Sequence, residues 1–251
     1  MAARVLLALA SVALTMGAFG CGVLHQQAQQ RYATVFQPTP SPAASPDEYP
    51  LGNQSDAINR PTSPPYKGNL SVFEDPERAR KLQVERVMDI LGIREGAAVA
   101  DIGAGSGWFT VRAAARVGAS GVVFAEDINS DYVKYVEKRV EEERLTNVRT
   151  ILGKEDDPLL PETSVDAVLL LKTYHEVAQP IRLLKHLRVA MRPGARLGII
   201  DRHGKGDDHG IDADVVIKEA ARAGFTLVDQ FDFVKPDNVD YFLVFTANRR
   251  P

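Results

Sequence analysis

The sequence predicts an α/β fold, a mainly parallel sheet held between two layers of helices. Three observations predict it. The apolar run Val99-Ala100-Asp101-Ile102 leads straight into Gly103-Ala104-Gly105-Ser106-Gly107, and a helical run over 109–117 follows. A second apolar run, 121–128, ends in Glu126-Asp127-Ile128, about 20 residues past that loop. Beyond it, strand-like and helix-like segments alternate almost to the end of the chain.

Each element has its own reason. Glycines at alternate positions permit positive φ and let a ligand lie against the backbone. A strand, a glycine loop and a helix N-terminus together make a nucleotide-binding corner. A dinucleotide site of the dehydrogenase kind requires G-x-G-x-x-G, and Trp108 stands where its third glycine would fall, so a nicotinamide oxidoreductase fits poorly. Strands are predicted over 148–152 and 165–171. A helix over 179–191 is stopped by Arg192-Pro193-Gly194. A strand over 196–200 ends in Asp201-Arg202-His203, and a helix over 211–223 precedes strands over 225–233 and 241–246. Ahead of the glycine loop one helix is expected over 75–92, with Pro76 at its start and Ala79, Leu82, Val87 and Leu91 as its apolar stripe. The charged run 136–144 reads as a solvated helix face with ion pairs.

The glycine loop led by Asp101 resembles motif I of the class I S-adenosylmethionine-dependent methyltransferases, and the likeness extends from about Asn69 to Phe245. It implies a Rossmann-like three-layer sandwich with a seven-stranded sheet in the order 3-2-1-4-5-7-6, the last strand antiparallel. It implies S-adenosyl-L-methionine as cofactor. Asp101 would organise the loop and approach the methionine ammonium, Gly103, Gly105 and Gly107 would form the cradle, and Asp127 would accept from the ribose hydroxyls, with Glu126 the lesser candidate. The family's adenine loop falls on Gly153-Lys154-Glu155-Asp156-Asp157-Pro158; its usual acid after the glycine is Lys154 here, which moves the adenine contact to Glu155, Asp156 or the backbone. The family's substrate-side loop falls on Lys172-Thr173-Tyr174-His175-Glu176. The implied activity is methyl transfer to a small-molecule or lipid-like acceptor. The alternative is a non-catalytic, exported nucleoside-binding module with the same fold.

Methyl transfer is an in-line displacement at a sulfonium carbon with a neutral leaving group, so positioning and exclusion of water dominate. A base is needed only where the acceptor has a proton to lose. His175 is the candidate base, with Glu176 orienting it or the acceptor and Tyr174 beside them. The competing reading packs His175 under the loop and makes Glu176 a helix cap. Asp201 and His203 are placed on the opposite wall. His203, Asp207, Asp208 and His209 match no metal-ligand spacing and read as a solvated loop, so no metal is expected. Trp108 either walls the methionine end or packs helix against sheet. Tyr66 and Phe73 either cover the pocket or pack the leading helix.

The chain is 45% hydrophobic and 25% charged with a net charge of −3, which gives no basic surplus for a nucleic-acid backbone. Its one cysteine, Cys21, lies in the N-terminal apolar stretch, which excludes thiolate chemistry in the folded domain; methyltransferases that act on arsenite use several cysteines. Residues 1–24 combine Arg4, an uncharged apolar run and Ala18-Phe19-Gly20-Cys21. They read as an export signal of lipoprotein type lipidated at Cys21, an ordinary cleaved signal, or a retained anchor. Each associates the chain with the membrane or exports it, and Arg4 places the domain on the outer side of the cytoplasmic membrane. A misassigned start would leave it cytoplasmic. Residues 25–66, rich in Gln, Pro, Ser, Thr and Ala, are expected as a disordered tether, and 67–251 as the methyltransferase-like domain.

Overall fold

The computed structural model describes residues 58–205 and 209–248; the segment 1–24 with Cys21, the tether up to residue 57, and Asp207 and Asp208 lie outside the described residues. The strands are β1 (Ala98–Ile102), β2 (Val122–Asp127), β3 (Val148–Leu152), β4 (Val165–Leu171), β5 (Met191–Asp201), β6 (Phe225–Phe231) and β7 (Tyr241–Ala247). The helices are α1 (Arg78–Leu82), α2 (Val84–Leu91), α3 (Trp108–Val117), α4 (Ser130–Glu142), α5 (Pro180–Ala190) and α6 (Ala213–Arg222). The sheet order is β3-β2-β1-β4-β5-β7-β6, with β7 antiparallel to both its neighbours, as expected.

The three layers follow from strand alternation. Val99, Ala167, Leu169 and Ile200 face one side of the sheet and pack with Leu82, Val87 and Leu91 of α1 and α2 and with Phe109 and Ala113 of α3. Ala100, Val168, Leu170, Leu197 and Ile199 face the other side and pack with Ile181, Leu184 and Leu187 of α5 and with Val216 and Ala220 of α6. β1 is buried along its whole length, as a central parallel strand covered on both faces must be. β1 pairs with β2 on one side and β4 on the other, so the chain reverses its direction of travel across the sheet there, and ligand crevices open beyond the strand ends at such a reversal.

Three expectations need correction. The leading helix is broken in two: Gln83 adopts φ +53°, and its side chain donates to the Phe233 carbonyl at 3.2 Å. The break lets Leu82 and Val84 both reach the core; in one continuous helix, residues two apart point to nearly opposite sides. The stop at Arg192-Pro193-Gly194 does end α5, but the turn is absorbed into β5 as a bulge. Met191 pairs with Val165, the register then shifts, and Arg196 pairs with Ala167. Finally, residues 58–66 are not a loose tether. Ile58 packs against the core, the Arg60 amide donates to the Ala178 carbonyl, and the Arg60 guanidinium grips both oxygens of Glu219 at 2.7 and 2.8 Å.

Candidate active site

The glycine loop joins β1 to α3. Gly103 has φ +69°, and a Cβ there would fall 2.3 Å from Thr173 Cγ2, so only glycine lets the loop after β1 lie against the loop after β4. Gly105 has φ +56°, and a Cβ there would meet nothing nearer than the Gly103 carbonyl at 4.0 Å. Space therefore lies open over the middle of the loop, the requirement for a ligand resting on backbone.

Two acids end β2 beside it. Asp127 is almost buried; its Oδ2 accepts from the Gly105 amide at 3.0 Å and its Oδ1 from the Asn129 amide at 2.9 Å. A carboxylate has about four lone-pair sites, so these bonds leave acceptor capacity for a hydroxyl donor. Burial raises the Asp127 pKa, opposed by backbone bonds from Asn129, Gly105 and Ile128. Glu126 is 2% exposed, and its oxygen occupies the space a side chain at Gly153 would need. Burial, and then the neighbouring Asp127 charge, push its pKa from 4.5 to about 8.

A carboxyl whose folded pKa is raised keeps its proton in the native state while the unfolded chain has lost it. Glu126 therefore makes stability fall as pH rises from 4.5 to about 8, by at most about 1.4 kcal/mol per pH unit. Glu126→Gln should flatten the fall in melting temperature across that window, as followed by calorimetry. Parallel curves for the two proteins would refute the assignment.

Asp101 sits under the loop, where its Oδ2 accepts from Thr110 Oγ at 2.6 Å. Burial lifts its pKa to about 6 against that bond. Trp108 is also buried in the core, with the guanidinium groups of Arg78 and Arg112 over its ring at 4.5 and 4.0 Å. That favours the packing role expected as one of its two alternatives. In the adenine loop, Glu155 is exposed and Asp156 ion-pairs with Arg182 at 3.1 Å, inside a turn closed by Lys154 and Asp157. Ile128, Leu152 and Leu159 are exposed apolar side chains near that end of the sheet. Tyr66 and Phe73 meet edge-on at the surface, and the Tyr132 hydroxyl holds the Tyr66 carbonyl at 2.7 Å.

The loop after β4 forms a short 3-10 turn, Tyr174–Glu176, which turns Tyr174 into the core and leaves His175 and Glu176 side by side. Tyr174 requires a correction. Its ring is fully buried and its hydroxyl donates to Glu219 at 2.8 Å; burial pushes its pKa well above a tyrosine's ordinary value. It is a neutral pillar under the loop rather than a group that meets substrate. His175 is held by Asp201, whose carboxylate receives the His175 amide at 3.1 Å and lies 2.9 Å from Nδ1. Asp201 is fully buried, so it supports His175 from behind instead of lining the opposite wall. His203 turns away, against Tyr241 and Asp212. Glu176 faces His175 Nε2 at 3.6 Å, His209 Nδ1 at 3.1 Å and the Ser63 amide at 2.6 Å.

An acid-ended β2 bonded to an open glycine loop, on this strand order, agrees with what the chain is similar to. Residues 99–194 match the methyltransferase domain family. The chain is 26% identical over 113 residues to the demethylmenaquinone methyltransferase of Geobacillus sp., covering 45% of this chain and 48% of that protein. It is 28% identical over 143 residues to the ubiquinone/menaquinone biosynthesis C-methyltransferase UbiE of Hydrogenovibrio crunogenus, covering 53% and 54%. The chain thus spans about half the length of the curated relatives it matches. A SAM-dependent methyltransferase from Aquifex aeolicus superposes with a TM-score of 0.64 at 25% identity, over 70% of this chain and 95% of that one. These likenesses support a class I methyltransferase domain with S-adenosylmethionine as its cofactor. The site fits that group: there is room over Gly105, and Asp127 has acceptor sites to spare.

Several residues around this site were not legible in the sequence. Glu74 accepts from Ser106 Oγ at 2.7 Å and from Arg139 at 2.6 Å, tying the segment before α1 to the glycine loop and α4. Arg60, Ser63 and Glu219 act across more than 100 residues. His209 was visible only within a run with His203, Asp207 and Asp208 that reads as a solvated loop.

Proposed function

We propose that this chain transfers the methyl group of S-adenosylmethionine to a small-molecule or lipid-like acceptor. The observation that carries the reading is the Asp127 carboxylate bonded to the Gly105 amide at the rim of an open glycine loop, inside the segment matched to methyltransferase domains. When bound, S-adenosylmethionine supplies an activated methyl group on a sulfonium. The chain's own work is to bind and to orient. Asp127 and the loop amides hold the nucleoside end, and Glu155 and Asp156 remain the side chains proposed for the adenine end. The buried Asp101 carboxylate favours the ammonium end electrostatically. His175, steadied by Asp201, and Glu176 meet the acceptor.

The lipid-like class draws support from relatives named for quinone methylation. It also agrees with the cell-envelope, membrane-associated placement proposed from Arg4, the apolar run and Cys21. The experiment is to incubate the full chain with methyl-labelled S-adenosylmethionine and either quinone-like lipids or small polar acceptors. Label passing to an acceptor, lost in His175→Ala, is the expected result. Cofactor binding with no transfer to any acceptor would favour the nucleoside-binding module instead.

A further inference from the structure

Three donors that the sequence scatters converge on the acceptor side of the site. His175, Glu176 and His209 each bring one ligand atom to within 4.8 Å of the others. We propose that His175 Nε2, Glu176 Oε1 and His209 Nδ1 bind one divalent first-row transition-metal ion, which holds an oxygen or nitrogen atom of the methyl acceptor. This rests on the reading of that wall as the acceptor side.

The spacing suits an ion. Ligands at 2.0–2.2 Å from a metal stand about 2.8–3.6 Å apart between adjacent positions in octahedral or tetrahedral geometry. Glu176 Oε1 lies 3.1 Å from His209 Nδ1 and 3.6 Å from His175 Nε2. The supporting groups are an independent observation. Metal-bound histidines give their second ring nitrogen to a carboxylate, which sets the tautomer and aims the ring. Asp201, fully buried, does this for His175: it occupies Nδ1 and also takes the backbone amide, which leaves Nε2 turned toward Glu176. Ligating carboxylates are likewise hydrogen-bonded, and the Ser63 amide takes Glu176 Oε2 at 2.6 Å, leaving Oε1 between the two imidazoles.

Burial grades outward from His175 through Glu176 to the exposed His209, so the set is closed behind and open in front. An open position is what a metal needs to take a substrate atom. Two imidazoles and one carboxylate select zinc, iron, cobalt or manganese over magnesium or calcium, which prefer oxygen ligands. With the ion bound, Nε2 is a ligand rather than a base, and an acceptor proton is acidified by the ion itself.

The test is a titration of Co²⁺, and separately of Zn²⁺, into the full chain in detergent, carrying no histidine tag. One equivalent of Co²⁺ giving visible d–d absorption, displaced by Zn²⁺, is expected. His209→Ala, at an exposed position that leaves the fold intact, should abolish the absorption. Asp201→Asn should weaken binding by about 10–100-fold while retaining all three ligands. No stoichiometric binding by folded wild-type protein, or binding unchanged in His209→Ala, would overturn the proposal and leave two plain histidine–carboxylate contacts. S-adenosylmethionine titration of the same sample is read separately. Its failure would strike the methyl-transfer reading without touching the metal result.

Discussion

Asp127→Ala should weaken binding of S-adenosylmethionine and of its demethylated product at least about 100-fold. Two hydrogen bonds to a charged acceptor are worth about 1.5–3 kcal/mol each, and 1.4 kcal/mol is a factor of ten. The substitution also removes the acceptor of the Gly105 and Asn129 amides, so the loop loses its brace along with its ligand contact. Asp127→Asn separates the two effects. One amide oxygen still accepts from the backbone, but the charge and half the acceptor sites are gone, so binding should fall between wild type and alanine. Calorimetric titration of both nucleosides measures this directly, and a melting curve shows whether the fold has survived. Wild-type affinity in Asp127→Ala would move the ribose contact to Glu126, which points toward Gly153.

The largest effect on stability is expected at Glu219. This carboxylate is buried, holds the Arg60 guanidinium through both oxygens and accepts the Tyr174 hydroxyl. Arg60 also donates to the carbonyls of Tyr174 and Val177, so one cluster ties the 58–66 segment, the substrate-side loop and α6 together. Glu219→Ala strands a guanidinium and a hydroxyl away from water. Breaking such a pair from one side costs about 3–5 kcal/mol, which lowers the melting temperature by about 6–20 °C in a domain of this size. Replacing the whole cluster with apolar residues (Arg60→Met, Glu219→Leu and Tyr174→Phe together) should recover much of the loss, because no buried charge is then left unpaired. A single Glu219→Ala variant that melts with the wild type would show that the cluster is solvated and that residues 58–66 are the tether the composition suggests.

That composition misled because it reports how much apolar surface a segment can bury, and Arg60 docks by charge instead. The same contrast runs through the molecule. The β1-loop-α3 corner was legible because its signal is local: glycines at alternate positions, an acid in the strand before them, a helix after. That an acid ending β2 lies beside this loop was legible from one distance along the chain. The helix break at Gln83 was not, since either side of it the stripe is helical and only the need to bury both Leu82 and Val84 decides between one helix and two. Tyr174, His175 and Glu176 looked like one reactive cluster in sequence, yet a 3-10 turn aims Tyr174 into the core and leaves only His175 and Glu176 together, backed by Asp201 and by Ser63 and His209.

By itself the sequence determined the sheet, its strand order through a family resemblance, and the β1-loop-α3 corner, because strand and helix periodicity and the glycine requirement act between near neighbours. Only the tertiary structure decided what surrounds His175 and Glu176. His209 meets Glu176 across 33 residues and Ser63 meets it across 113, because the β4 and β5 ends lie side by side in the sheet and the 58–66 segment is pinned across them by Glu219. Those distances are set by strand order and a buried ion pair, which no local pattern along the chain records.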